Sequence, residues 1–211
     1  MKKTMITISV LAIALTFSNC GESNNSEPKT QQESMSSKDT ATANMKQEGA
    51  SDACMSPIAA GDSAKYISKQ VAVTGDVETP LTLTVDSLKK MNVATIENFK
   101  VVCQSGSTMK EDKICKGVLL KDILMKAKIK QNNHKDRNFY IVARATDNYK
   151  ATFSWAELFN NPTGDNVYVL FEENGAPIKV QGDMILICKN DTKTGPRHVF
   201  WLKSIEVNRV N

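Results

Sequence analysis

Apolar residues fall along the chain in three regimes. Ile6 to Phe17 is a mostly apolar run of 12 residues. Gly21 to Ala60 carries no aromatic residue and almost no branched aliphatic one. From Gln70 onward, short apolar–polar alternations begin, punctuated by Gly, Asn and Pro. Gln70-Val71-Ala72-Val73-Thr74-Gly75 alternates with period two and ends in Gly, which predicts a strand. Pro80–Thr84 predicts a second strand, and Thr84 or Asp86 is placed to cap a helical stretch over Ser87–Met91. Residues 96–104 predict a third strand that runs through Cys103. Gly117 opens a second predicted helix, with Leu120, Ile123, Leu124 and Ala127 on one face. Phe139–Ala145 and Tyr149–Phe153 predict strands, followed by a short helix from Ser154 with Trp155 and Leu158 inward. Val167–Phe171, Met184–Cys188 and Val199–Val207 complete the strands, and Asn174-Gly175 predicts a hairpin turn between Glu173 and Ala176. Short strands with a few short helices, and no sustained β-α-β-α alternation, define an α+β class. A compact mixed or mostly antiparallel sheet follows from it.

The first two regimes are an address and a spacer. Lys2 and Lys3 precede the apolar run, which is shorter than the roughly 20 residues a spanning helix needs. Residues 1–19 therefore read as an export signal. Thr16-Phe17-Ser18-Asn19-Cys20 follows the run directly, with no A-x-A cleavage site, and a polar stretch follows Cys20. This arrangement resembles the lipobox of bacterial lipoproteins, with Phe17 and Asn19 where Leu and a small residue are usual. The resemblance implies lipidation of Cys20 and anchoring to the bacterial cell envelope, on its periplasmic or surface face. Residues 20–60 are too poor in apolar side chains to offset the entropy of ordering, which predicts a disordered tether. A coil of about 35 such residues reaches roughly 30–35 Å.

Charge sharpens this division. The whole chain has 27 Lys+Arg against 23 Asp+Glu, a net +4. The tether holds six acidic residues against three lysines, so residues 61–211 stand near +5. That excess lacks a basic run, and only 6% of residues are aromatic, so nucleic-acid binding has little basis. The phosphate-loop, dinucleotide, zinc-protease, nucleophile-elbow and C-x-x-C motifs are absent. His134 and His198 are the two histidines, and His134 sits in a polar loop sequence. Five cysteines is an odd number, so at least one has a fate other than an internal disulfide.

The order of motifs from Gln70 to Val207 carries a resemblance. Val73-Thr74-Gly75 precedes the Pro80-Leu81-Thr82-Leu83-Thr84 strand, and Val101-Val102-Cys103 ends a later one. Lys116-Gly117-Val118-Leu119-Leu120-Lys121-Asp122-Ile123-Leu124, Asp147-Asn148-Tyr149 and Asn174-Gly175-Ala176-Pro177-Ile178 follow. The last piece is Gly195-Pro196-Arg197-His198-Val199-Phe200-Trp201-Leu202-Lys203-Ser204-Ile205-Glu206-Val207. Together these resemble the molybdopterin-binding domain of the sulfite oxidase family, over residues 61–211. The chain departs from that pattern at Gln104-Ser105-Gly106-Ser107 after the cysteine, and at Cys115, Leu119, Asn148 and Phe200.

The resemblance implies a molybdenum–molybdopterin cofactor with Cys103 as the metal's protein ligand, since a soft thiolate suits a metal already held by dithiolene sulfurs. It places Arg197 and His198 near the pterin or its phosphate, where a guanidinium makes planar bidentate contacts. It implies oxygen-atom or electron transfer on a small oxyanion or sulfoxide, with a redox partner such as a haem protein. A second fate of Cys103 stays open. Exported proteins form disulfides, and a Cys103–Cys115 bridge would close a loop worth about 3 kcal/mol. The chain would then be a cofactor-free binding module on the cell envelope. Cys188, in the apolar run Met184–Cys188, reads as a buried thiol, and Cys54, at the tether margin, is open to pairing with Cys188 or with a partner chain. Trp155 and Trp201 read as core residues.

Overall fold

The computed structural model describes residues 63–108 and 113–210. The export signal, the tether, Cys20 and Cys54 lie outside the described residues. Among the described residues no helix is long and apolar enough to cross a membrane.

Two sheets form the domain. The first has the order β2 (Leu81–Leu83), β1 (Val71–Gly75), β10 (Leu202–Arg209), β5 (Phe139–Ala145) and β6 (Lys150–Ser154). The second has β3 (Val93–Phe99), β4 (Lys113–Leu119) and β7 (Val167–Glu173) in sequence, with β8 (Ala176–Pro177) and β9 (Ile185–Cys188) both paired to β7. All strand pairs are antiparallel except β1 with β10, which run parallel from Ala72 opposite Ser204 to Gly75 opposite Val207. The α+β class and the mixed, mostly antiparallel sheet expected from the sequence are what the fold contains. Gly75 marks where β1 ends against β10. Its φ is +92°, and a Cβ there would lie 2.0 Å from the Val207 carbonyl oxygen.

The short helices start where side chains supply the missing backbone partners. Thr84 Oγ1 accepts from the Ser87 N–H and Ser87 Oγ accepts from the Thr84 N–H, opening α1 (Val85–Leu88). Ser154 and Glu157 make the same reciprocal pair at the start of α3 (Trp155–Phe159). Helix α2 (Leu120–Ala127) buries Leu120, Ile123, Leu124 and Ala127, the face its sequence spacing marks out.

A main core lies between the sheets and the helices, and the second sheet is apolar on its other face too. Along β7, Val167, Val169 and Phe171 join the main core, while Leu170 joins a second cluster. Along β9, Leu186 and Cys188 face one way and Ile185 and Ile187 the other. This is the period-two alternation of a strand covered on both sides. Each fully buried Leu or Ile there contributes about 1.5–3 kcal/mol. The second cluster is completed by Ile96, Phe99, Val101, Cys115 and Ile178, with Phe200 packed against it.

Several stretches differ from their sequence reading: the first helix covers Val85–Leu88 and not Ser87–Met91, and the last strand starts at Leu202 and not Val199. The stretch Gly117–Leu119 continues β4 and does not open α2. Gly117 serves strand packing, because a Cβ there would sit 2.5 Å from the Val169 carbonyl oxygen. The third strand also ends early, at Phe99. Asn98 takes φ +55° and the register with β4 shifts between Ile96 and Phe99, which releases Lys100–Cys103 from the sheet.

Candidate functional site

Cys103 therefore stands in a turn, where the sequence pattern had placed it on a strand. The Cys103 N–H donates to the Ser107 carbonyl (2.9 Å), and the Gly106 N–H donates back to the Cys103 carbonyl (2.9 Å). Val102 and Thr108 bridge across the base of this turn. Cys103 itself is buried, while Gln104–Thr108 are exposed. A second segment clasps the turn from 92 residues away. Thr194 Oγ1 accepts from the Val102 N–H (2.8 Å) and donates to the Lys100 carbonyl (2.8 Å). The Gly195 N–H donates to the Val102 carbonyl (2.8 Å), and Lys193 Nζ donates to the Gln104 carbonyl. Thr194 is buried, so these bonds replace the ladder that β3 gives up.

Residues 191–201 gather the remaining motifs around that clasp. The Tyr149 hydroxyl donates to the Pro196 carbonyl (2.7 Å), and the Thr146 N–H donates to the Trp201 carbonyl (3.0 Å). Asn148, between them, has φ +70°, a conformation Asn tolerates. Trp201 is buried at φ +46°, with its indole N–H on the Val180 carbonyl (2.9 Å) and Tyr66 tilted against its ring. A bulky residue held in the left-handed region stores strain that only over-determined surroundings maintain.

Arg197 and His198 are neighbours in sequence but face different clusters. Arg197 Nε donates to Asp191 Oδ2 (2.7 Å), Nη2 donates to Asp191 Oδ1, and Nη1 donates to Glu157 Oε1 (3.0 Å). Its guanidinium carbon lies 4.5 Å from the Phe153 ring centroid. His198 turns the other way, edge-on to Phe99 and Phe200 with centroids at 5.9 and 4.4 Å. Neither of its ring nitrogens has a hydrogen-bond partner among the described residues. Burial, helped by the nearby Lys113 charge, pushes its pKa down to about 3, so the ring is neutral near pH 7. His134 is exposed, as its loop sequence suggested. Trp155 stacks on Phe159 at the core margin beneath Arg137.

The cysteines correct one expectation. Cys103 is disulfide-bonded, but its partner is not Cys115, which is a free buried thiol. Cys115 lies within β4 opposite Ile96, and its side chain belongs to the apolar cluster of Phe99, Leu170 and Ile185. Its sulfur is committed to that core, whereas the early end of β3 carries Cys103 out into a turn. Cys188 is also free and buried, with Asn190 Oδ1 and Asp191 Oδ1 each 3.2 Å from its sulfur. Desolvation pushes both of these thiols up to about 12.

Sequence reasoning missed Thr194, Asp191 and Glu157. Thr194 directly precedes the Gly195-Pro196-Arg197-His198 motif, which was the one local signal for it. Glu157 lies in the short helix after Ser154, and nothing local in the sequence tied it to Arg197. An open cleft of about 560 Å³, lined by Gly75, Asp76, Tyr140, Val207, Asn208 and Arg209, includes none of Cys103, Arg197 or His198.

A small two-sheet α+β domain whose cysteine turn is clasped by a Gly-Pro-Arg-His segment defines the class. Residues 61–211 match the family described as the oxidoreductase molybdopterin binding domain, and the chain belongs to that family. Among solved structures it is similar to the sulfane dehydrogenase SoxCD from Paracoccus pantotrophus, with a TM-score of 0.53 and 20% identity. That match covers 67% of this chain and 39% of that one, so the likeness is one of fold, and this chain spans well under half of that protein's length. No curated protein matches the chain.

The donor set does not fit the family's cofactor in this state of the chain. The Cys103 sulfur is bonded to another sulfur, so no thiolate faces a metal. The Arg197 guanidinium is spent on two carboxylates, and a phosphate would have to displace them. Of the three expected site residues, His198 has side-chain nitrogens with no hydrogen-bond partner among the described residues, and it is enclosed by aromatic rings.

Proposed function

We propose that the chain is an exported, lipid-anchored oxidoreductase domain of the molybdopterin-binding type. It acts by oxygen-atom or electron transfer on a small oxyanion or sulfoxide and exchanges electrons with a partner such as a haem protein. The observation that carries this reading is the Thr194 clasp. It holds the Cys103 turn against the Gly195–His198 segment, the two pieces of chain in which the family resemblance puts its ligands. The charge of residues 61–211, near +5, supports an anionic or strongly dipolar substrate. The polar, aromatic-free stretch after Cys20 supports a tethered domain. Molybdenum content tests the reading. Protein from a molybdenum-replete host is expected to carry close to one equivalent in its thiol form, lost in Cys103→Ser. Palmitate labelling of the wild type tests the anchor, and absence of label refutes it.

A second reading is a cofactor-free binding module of the cell envelope. The Arg197 pairs with Asp191 and Glu157 favour it, because they use internally the cation that a phosphate would need. Absence of molybdenum from every form of the protein, together with an intact fold, supports the module over the enzyme.

A further inference from the structure

The apolar layer on the outer face of the second sheet takes in three polar side chains. Lys113 and Cys115 stand two apart on β4 and share a face, and Glu173 on β7 lies opposite Cys115. Lys113 Nζ donates to Glu173 Oε2 (2.9 Å), and the two side chains keep 12% and 17% of their exposure. Phe99 lies opposite Lys113 on β3, and the His198 ring stands edge-on to Phe99. The Lys113 charge accordingly acts on both His198 and Cys115. In this group the hydrogen bonding does not close. Glu173 Oε1 is buried without a partner among the described residues, and so are both ring nitrogens of His198. A buried polar atom left unpaired is rare in a folded protein. Here three of them belong to two side chains that flank one lysine.

The chemistry of these atoms specifies what would satisfy them. A carboxylate oxygen accepts, a neutral imidazole carries one N–H and one bare nitrogen, and an ammonium only donates. The missing group must therefore donate to Glu173 Oε1 and accept from the ring N–H and from Lys113 Nζ. Lys113 offsets the charge of Glu173 and the ring is neutral near pH 7, so the group need carry no charge. Phe99, Ile178 and Phe200 supply the apolar surroundings, which give a larger polar solute nothing further to bond. Water meets each condition, and three hydrogen bonds is its usual number inside a protein. We infer that Lys113, Glu173 and His198 form a binding site for an internal water molecule, through which Glu173 positions the His198 ring. The effect reaches the Cys103 turn, because the His198 N–H donates to the Gly195 carbonyl (3.0 Å) and the Gly195 N–H holds Val102 (2.8 Å). Glu173 is thus a positioning residue outside the motifs of the expected site, and its role is independent of the cofactor reading.

The test uses the full chain as wild type, Glu173→Gln and Glu173→Leu. Glu173→Gln keeps an acceptor oxygen at that place and Glu173→Leu removes it. Wild-type crystals at atomic resolution are expected to show a water about 2.7–3.2 Å from Glu173 Oε1 and from one His198 ring nitrogen. In solution, with isotope-labelled histidine, the His198 ring N–H is expected to receive magnetisation from bound water in the wild type and in Glu173→Gln. Glu173→Leu is expected to lose that signal, and its ring N–H should exchange with solvent at least about tenfold faster. A Glu173 that served packing alone would change stability without moving the water signal. A wild-type crystal with no water at that place, or with the ring bonded directly to Glu173, overturns the inference. A water signal unchanged in Glu173→Leu overturns it as well. Should Glu173→Leu fail to fold, the wild-type crystal decides alone.

Discussion

His198 ties the stability of this domain to pH in a way that can be worked out from its surroundings. The imidazole is buried between Phe99 and Phe200, and neither nitrogen is hydrogen-bonded among the described residues. Its pKa is pushed down to about 3, by burial first and by the Lys113 charge second. An unfolded histidine takes up a proton below about pH 6.5. Between that value and about 3 the unfolded state therefore binds more protons than the folded one, and stability falls as pH falls. One proton is worth about 1.4 kcal/mol per pH unit, so lowering pH from about 7.5 to 5 removes about 2 kcal/mol. Carboxylates add little in that window, because their ordinary values lie near 4. The Asp136 and Glu206 carboxyls, bonded to Arg209 and Arg144, titrate lower still. His198→Phe keeps edge-on aromatic packing and removes the titrating ring. Relief of unpaired nitrogens and overpacking each amount to about 1–3 kcal/mol with opposite sign, so the offset at neutral pH decides nothing. The slope decides. Urea unfolding at pH 7.5, 6.5, 5.8 and 5.0 is expected to show the loss of about 2 kcal/mol in the wild type. It should persist in a His134→Asn control and be absent in His198→Phe. A wild type flat over this range, or a His198→Phe variant with the wild-type slope, refutes the argument.

Thr194→Val keeps the shape but strands the Val102 N–H and the Lys100 carbonyl, which is expected to cost about 2–4 kcal/mol in urea unfolding. Reduced Cys103 should also alkylate faster in Thr194→Val, because the clasp on its turn is gone. Gly75→Ala drives a Cβ to 2.0 Å from the Val207 carbonyl oxygen at φ +92°, and is expected to cost more than about 3 kcal/mol or abolish folding, read by thermal unfolding. In native protein at pH 8, iodoacetamide should leave Cys115 and Cys188 unmodified. Denaturant should expose both within the same experiment, as intact mass will show.

Local chemistry in the sequence was enough to place most strands and all three short helices. Alternation marked β1, β5 and β7, Thr84 and Ser154 marked helix starts, and Asn174-Gly175 marked its turn. Those signals depend on neighbours a few residues apart, and packing reinforced them. The ordered motifs also fixed the family, because each records a local turn or strand end. The state of the site was not local. Gly117 reads as a helix opener until the approach of Val169 makes it a strand residue. Val101–Cys103 reads as a strand until the register shift at Asn98 releases it to Thr194, whose claim on it spans more than ninety residues. Arg197 and His198 look like a pair in sequence. Tertiary packing separates them, giving the charge to Asp191 and Glu157 and the neutral ring to Phe99 and Phe200. The same packing keeps Cys115 as a free thiol inside a filled apolar cluster and not as the partner of Cys103. The sequence determined which residue types the site contains. Only the folded chain decided which of them already hold one another.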